Sequence, residues 1–207
     1  MSRFRNVTIA GLMVSLIGLL LLMCGTYLLR PSIRACYLFS KLETLQLGHF
    51  SFEDAQRLAK KIGAEPYGSC NRSYCEWDAS IDNERIPRWW RGSGASFRVS
   101  FTAKDAVVVR KDTGFGIGTL GEFHPSQVGF EEQEHWGRGN TKEPVQAGWY
   151  TTELFRYYLF TVRMTPKASA EDRRRYTAFN FSCFWKHKGC RDARDLLPTA
   201  DRFPDDK

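Results

Sequence analysis

The chain has 207 residues, of which 14% are aromatic and 26% are charged, with a formal net charge of +7. This aromatic content excludes a mainly disordered chain, and the length suits one domain with a substantial core. Residues 1–50 carry five bases and one acid, so the remaining 25 bases and 22 acids are nearly balanced. Because nucleic-acid binding requires a clearly basic domain, we expect no nucleic-acid partner.

The first predicted element is an apolar stretch at residues 7–29, which holds no charged residue across 23 positions. A helix of this length runs roughly 35 Å, enough to cross a hydrocarbon core about 30 Å thick. A cleaved signal peptide has a shorter apolar core and small residues at its exit. A lipoprotein signal would have a small residue, not Met23, before Cys24. The pattern therefore favours an uncleaved single-pass membrane anchor, preceded by a short tail at residues 1–6.

Two features of the sequence disagree about the orientation of this anchor. Arg3 and Arg5 precede it, whereas Arg30, Arg34 and Lys41 follow it. Read literally, the positive-inside rule places the domain in the cytoplasm. Paired cysteines further along the chain favour the opposite side, because disulfides persist in oxidising compartments. We give the cysteines more weight and predict a cell-membrane protein with a cytoplasmic N-terminus and an extracytoplasmic C-terminal domain.

One face of the anchor carries mostly small residues at spacings of three and four. They are Thr8, Gly11, Ser15, Gly18, Leu22 and Gly25. Small residues let helix backbones approach closely, so this small-residue stripe predicts self-association or packing against another membrane helix. Its packing candidates are Gly11, Ser15, Gly18 and Gly25. Glycine and serine are also common in membrane helices that have no such role.

A juxtamembrane helix is predicted within residues 30–50. Pro31 ends the membrane span or begins the next element, and residues 32–47 carry an amphipathic pattern. Gly48 then supplies a C-terminal stop. This helix forms a stalk or packs on the domain.

A second helix begins at Ser51, where a capping-box pattern places Glu53 and Asp54 in the first turn. Gly63 ends the helix. Its apolar residues fall on one face, which predicts packing on a sheet.

Alternating apolar and polar residues then predict a mainly antiparallel sheet of about five strands. The runs lie at 75–81, 97–102, 106–110, 156–164 and 176–185. Two helices followed by such strands define an α+β fold, with the globular domain at 51–198 and a flexible tail at 199–207. A helical turn is expected at 192–197.

Residues 114–150 show little periodicity, and we expect a long excursion that is functional or mobile. Gly116, Gly118 and Gly121 match the spacing of a dinucleotide fingerprint. Pro125 and Gly129 oppose the helix that this fingerprint needs, so we predict a glycine-rich loop and no cofactor.

Four of the six cysteines form two close pairs, Cys70 with Cys75 and Cys183 with Cys190. Such pairs close easily as disulfides, which would pin the entry to the first strand and the exit from the last. Cross-pairing between the two groups remains open. The rival is a zinc site, alone or with His187, but the long, uneven spacings fit zinc patterns poorly. We therefore predict no metal.

Trp89 and Trp90 are flanked by Arg88 and Arg91. Tryptophan beside arginine is typical of a membrane interface or a partner-binding hot spot, so these four residues are candidate partner contacts. One tryptophan covering the core beneath a loop would account for the same pattern.

Candidates for catalysis lie within the excursion. They are His124, Glu131, Glu132, Glu134 and His135. The cluster lacks HExxH order and a second spaced histidine, so we assign no catalytic residue.

The sequence favours a non-enzymatic module, anchored in the lipid bilayer, that binds an extracytoplasmic protein or an envelope component. The alternative is a small membrane-anchored hydrolase or metal-dependent enzyme that uses the region of His124 and His135.

Overall fold

The computed structural model describes residues 2–92, 94–118, 126–133, 144–152 and 157–199. The helices of these residues are α1 (Ser2–Leu42), α2 (Phe52–Ile62), α3 (Arg88–Arg91), α4 (Ala170–Tyr176) and α5 (Ala193–Leu196), with a 3₁₀ helix at Phe181–Phe184. The strands are β1 (Glu65–Tyr67), β2 (Tyr74–Asp82), β3 (Ala95–Lys104), β4 (Val107–Ile117), β5 (Ser126–Gln133), β6 (Val145–Thr152) and β7 (Tyr157–Met164). The predicted α+β class, with a long apolar helix at the N-terminus, is confirmed.

The described strands form one sheet in the order β1-β2-β3-β4-β5-β7-β6. Every pair is antiparallel except β5 with β7, which run parallel. The sheet therefore has seven strands rather than about five. The additional strands are the short, exposed β1 and two strands, β5 and β6, within the expected excursion. Gly129 in β5, Gly148 in β6 and the adjacent Glu131 and Glu132 obscure the alternation there.

The strand predicted at residues 176–185 is wrong. This segment includes the end of α4, a loop and the 3₁₀ helix. The side chain of Asn180 accepts a hydrogen bond from the Ser182 backbone N–H at 3.3 Å, which caps the 3₁₀ helix. Phe179 and Cys183 are buried here, so aromatic alternation arises without strand pairing.

Helix α1 is continuous through Pro31. The predicted break at this proline is therefore absent. Residues 13–24 are all exposed, whereas Ala35, Leu38 and Leu42 are buried in the domain. Within the described residues, α1 is the one helix long and apolar enough to cross a membrane. Its first part suggests membrane anchoring, while its last turns belong to the hydrophobic core.

Helix α2 confirms the predicted capping. The Ser51 hydroxyl accepts from the Asp54 backbone N–H at 3.2 Å and donates to the Asp54 carboxylate at 2.8 Å. Gly63 ends the helix with φ of 72°, a left-handed conformation that glycine adopts without strain. A cap of this kind contributes about 1 kcal/mol.

An aromatic cluster joins α1, the sheet and the 3₁₀ helix. Phe97 packs edge-on against Phe115 at 5.7 Å and against Phe181 at 5.0 Å between ring centroids. Phe115 stacks on Phe184 at 5.3 Å, and Phe39 of α1 meets Phe97 at 6.3 Å. Each such pair adds about 0.5–1.5 kcal/mol beyond area burial.

The two disulfides join Cys70 to Cys75 and Cys183 to Cys190, as the local pairing predicts. The first precedes and enters β2. The second lies in the 3₁₀ helix and the loop after it, not at the exit from a strand. Disulfides suggest that the domain folds in an oxidising compartment.

The helix-covered face of the sheet contains a buried charge network. Lys111 of β4 and Glu132 of β5 have side chains that are 3% and 4% exposed, with Nζ and Oε2 2.8 Å apart. Arg173 of α4 contacts the other carboxylate oxygen of Glu132 at 2.7 Å. Lys111 also donates to the Leu45 carbonyl at 3.2 Å. The network thus ties the chain after α1, two strands and α4 together.

Candidate functional site

The candidate site is the outer face of the sheet, which lies opposite the apolar core. Cα register places five residues in one row across β3, β4, β5, β7 and β6. In that strand order they are Arg98, Gly114, Gly129, Thr161 and Gly148. The three glycines leave most of this row without side chains. A shallow cavity of about 340 Å³ lies over Gly114 and Gly129.

We call Gly114 and Gly129, which lie beneath this cavity, the glycine floor. Charged side chains of both signs surround it. Arg110 Nε contacts Asp112 at 2.8 Å and Glu131 at 3.1 Å. Arg163 Nε contacts the other oxygen of Glu131 at 3.3 Å. Arg98 pairs with Asp78 at 2.6 Å. The side chains of Arg98, Arg110 and Arg163 are about half exposed, so solvent reaches this face.

Three carboxylates line the cavity, namely Glu76, Asp112 and Glu131. Burial raises the pKa of Asp112 to about 6, although the Arg110 guanidinium opposes this shift. The charges of Glu131 and Glu76 raise the pKa of Asp112 further. Burial and the neighbouring carboxylates disfavour the ionised form of Asp112, and a nearby cation would stabilise that form. The arrangement therefore favours a ligand with a positive charge.

Neighbouring glutamates that the sequence groups together are separated by the sheet. Glu131 lies on the outer face in the ion pairs described above, whereas Glu132 lies in the core network. Burial pushes the pKa of Glu132 upward, but the Arg173 hydrogen bond and the Lys111 charge hold it below its ordinary value. Because successive strand residues point to opposite faces, these two carboxylates cannot share a ligand.

The remaining catalytic candidates, His124, Glu134 and His135, lie outside the described residues. Among the residues that the structure describes, no group of three or more His, Cys, Asp or Glu side chains could hold a metal ion.

The tryptophan candidates lie in α3, which follows β2. Trp89 is 76% exposed, and its ring meets Trp90 edge-on at 5.9 Å. The Trp90 indole donates to the Trp185 carbonyl at 3.0 Å, and Arg88 is exposed. Arg91 is instead buried and donates through Nε to the Ile86 carbonyl at 3.0 Å. Arg91 thus has a structural contact, and a partner contact through these four residues stays a prediction.

The members of the small-residue stripe whose exposure the structure describes lie on the uncovered part of α1. Ser15 and Gly18 are exposed, and Gly25 is partly exposed. A Cβ atom added at Gly18 or Gly25 would meet nothing within 4 Å. The side-chain environment of Gly11 lies outside the described part of the chain. Helix pairing through this stripe stays a prediction.

Asp112 and the glycine floor are functional candidates that the sequence reading missed. Arg98 lies between the buried apolar residues Phe97 and Val99, which is a signal for one polar sheet face. On β4, Arg110 and Asp112 alternate with the buried but polar Lys111 and Thr113, so the signal is weaker there. Gly114, Gly129 and Gly148 obscured that signal, because glycine in a strand reads as a loop.

Comparison with protein-family models, curated proteins and solved structures finds no match. The fold and the site define the class: an α+β domain that carries an N-terminal candidate membrane helix and an open, charged sheet face.

Proposed function

We propose that this chain is a single-pass cell-membrane protein whose extracytoplasmic domain binds a polar ligand bearing a cationic group. The ligand lies on the glycine floor of the outer face. The N-terminus is cytoplasmic, and α1 both anchors the domain and forms part of its core.

The observation that carries the binding role is the glycine floor beside an excess of carboxylates. Gly114 and Gly129 are aligned partners on β4 and β5. The Gln127 amide nitrogen lies 3.2 Å from the position that a Cβ atom of Gly114 would take, whereas Gly129 leaves room for a ligand to approach the backbone closely. Arg110 is shared between Asp112 and Glu131, while Arg98 is engaged by Asp78. A ligand cation would compensate Asp112 and leave these ion pairs in place.

The orientation is supported by the two disulfides, because such bonds persist outside the cytoplasm. Cys36 supplies a direct test, since it is free and exposed just beyond the apolar stretch. A membrane-impermeant maleimide should label Cys36 in intact cells that express the full chain, and Cys36→Ser should remove this labelling. Labelling of Cys36 only after permeabilisation would place the domain in the cytoplasm and overturn the proposed topology.

The ligand class is tested by titrating 1,4-diaminobutane into the full chain in nanodiscs, with NMR detection at Asp112. The neutral isostere 1,4-butanediol is the matched ligand control. We expect the diamine alone to shift this signal, and to bind about tenfold more weakly at pH 5 than at pH 7. One unit below a pKa of about 6, only about a tenth of the Asp112 carboxyl is ionised.

Asp112→Asn should remove this pH dependence, whereas Glu171→Gln, at an exposed carboxyl on α4, should preserve it. Equal responses to the diamine and the diol, or no response to either, would refute the cationic ligand.

A further inference from the structure

We infer that the membrane-proximal end of the domain binds anionic phospholipid headgroups in the leaflet from which α1 emerges. Two features form this surface: a cavity lined by Arg30, Arg34 and Arg85, and a tryptophan patch. The tryptophan patch comprises Trp89, Trp90, Trp185, Lys186 and Lys188. This inference rests on the proposed membrane anchoring, but not on the ligand of the outer face.

The level of the membrane surface follows from the length of α1. From residue 7 to Tyr27 the helix rises about 30 Å, which matches the hydrocarbon thickness of a bilayer. Tyr27 thus lies at the boundary, where tyrosine is enriched. Its hydroxyl donates to the Arg85 carbonyl at 2.8 Å, which brings the loop after β2 to the same level.

The cavity lies at this contact. It has a volume of about 170 Å³ and is lined by three arginines together with Tyr27 and one acid, Asp82. Arg30, Arg34 and Arg85 are all exposed. Guanidinium groups recognise phosphate with paired hydrogen bonds, so a headgroup phosphate is the group that this composition favours.

The tryptophan patch begins in the same connection between β2 and β3 as Arg85, because Trp89 and Trp90 follow it closely in the chain. Trp90 Nε1 donates to the Trp185 carbonyl at 3.0 Å, and the Lys188 backbone N–H donates to the Trp90 carbonyl at 2.7 Å. Trp89 and Trp185 are 76% and 39% exposed. Exposed tryptophans at the level of the headgroups are typical of membrane interfaces.

The charge of these loops complements an anionic leaflet. Residues 83–92 and 185–191 contain six arginines and lysines and one acid, Glu84. Lys186 and Lys188 are exposed. Trp89 follows Arg85 in the same connection between β2 and β3, and Arg85 contacts Tyr27 at the end of the apolar stretch, which favours lipid over a partner protein as the occupant.

The first test uses the full chain in nanodiscs that contain dibrominated phosphatidylcholine, which quenches tryptophan at membrane depth. We expect part of the quenching to disappear in Trp89→Phe. As a matched control, Tyr67→Phe changes an exposed aromatic residue on β1, away from the patch, and should leave the quenching unchanged.

The second test measures phosphatidylglycerol retained over phosphatidylcholine by native mass spectrometry of the chain released from mixed nanodiscs. Lys186→Gln, Lys188→Gln and Arg85→Gln should each lower this enrichment roughly fivefold, the effect of one basic residue near an anionic surface. Lys60→Gln and Lys61→Gln, at exposed lysines of α2, should leave it unchanged.

Carbonate extraction separates the possible failures. A chain that resists extraction but shows neither Trp89 quenching nor a charge-dependent enrichment would overturn the headgroup surface alone. A chain that carbonate releases from membranes would overturn the proposed anchoring, and this inference with it.

Discussion

Glu131 and Glu132 are adjacent on β5 and each pairs with two basic side chains, yet the two ion-pair networks differ in their access to solvent. Glu132 is enclosed in the core between Lys111 and Arg173, whereas Glu131 pairs with two arginines that are about half exposed. The helix-covered face therefore uses charge to join structural elements, and the outer face keeps charge within reach of solvent. The difference teaches that sheet alternation alone can separate a buried structural charge from one that solvent and a proposed ligand can reach.

The largest effect is expected when the covered network is broken. Glu132→Ala removes the carboxylate that lies 2.8 Å from the buried Lys111 ammonium and leaves only Glu43, at 3.9 Å, so the free energy of unfolding should fall by about 3–5 kcal/mol. Glu131→Ala, on the outer face, should cost about 1 kcal/mol or less, because its partners are solvated. Urea unfolding of the full chain in nanodiscs measures both. Similar losses for the two variants would remove the distinction between the faces.

Replacing both members of the buried pair should be less harmful than removing one. The double variant Lys111→Met with Glu132→Leu leaves no uncompensated ammonium in the core. Arg173 retains its hydrogen bonds to the Thr165 and Ala168 carbonyls. We expect the free energy of unfolding of the double variant to exceed that of Glu132→Ala by at least about 2 kcal/mol. A double variant no more stable than Glu132→Ala would show that shape, rather than charge, dominates this site.

The two faces should also respond oppositely to acid. The pKa of Asp112 is raised to about 6 in the folded chain, so its contribution to stability should rise as pH falls from about 6 toward 3.8. The pKa of Glu132 is lowered, so its contribution is present above about 4.5 and declines as pH falls below it.

The free energy of unfolding, measured from pH 7 to pH 3, tests whether stability first rises and then falls as the pH is lowered. Asp112→Asn should abolish the rise between pH 6 and pH 4 while the loss at lower pH persists. A wild-type stability curve that is already falling between pH 6 and pH 4, and that Asp112→Asn leaves unchanged, would contradict the assignment.

The smallest effect concerns the glycine floor. A Cβ atom at Gly129 would meet only Leu159 Cδ1, at 3.9 Å, which is an ordinary contact. Because glycine weakens strands, Gly129→Ala should stabilise the fold by up to about 1 kcal/mol. The same change should weaken diamine binding by covering the floor. Thermal unfolding and the NMR titration measure the two effects, and unchanged affinity would show that the ligand does not contact the floor.

Local signals accounted for much of the fold. The capping pattern at Ser51 and the stop at Gly63 predicted α2, because both act within a single helical turn. The close cysteine spacings predicted both disulfides, because a bond between residues five or seven apart closes only a short loop. The alternation of apolar and polar residues over β2 and β3 requires only that one face of the sheet is buried, and it predicted both strands.

The predictions failed where distant packing decides the structure. The parallel pairing of β5 with β7 joins segments whose order in the sheet no local pattern encodes. Phe179, Phe181 and Cys183 alternate as in a strand. A loop followed by a 3₁₀ helix, however, also packs these side chains into the core. Glu131 and Glu132 looked like one acidic cluster, because sequence proximity does not reveal the sheet face.

The sequence by itself determined the apolar helix, the α+β class and the local cysteine pairs, because each depends on composition or on neighbours within a few residues. Only the tertiary structure decided that α1 continues past Pro31 into the core. It also decided that Gly114, Gly129 and Gly148 fall in one row across the outer face. The physical reason is that strand register and helix packing bring together groups far apart in the chain, and the energies that fix them are not local.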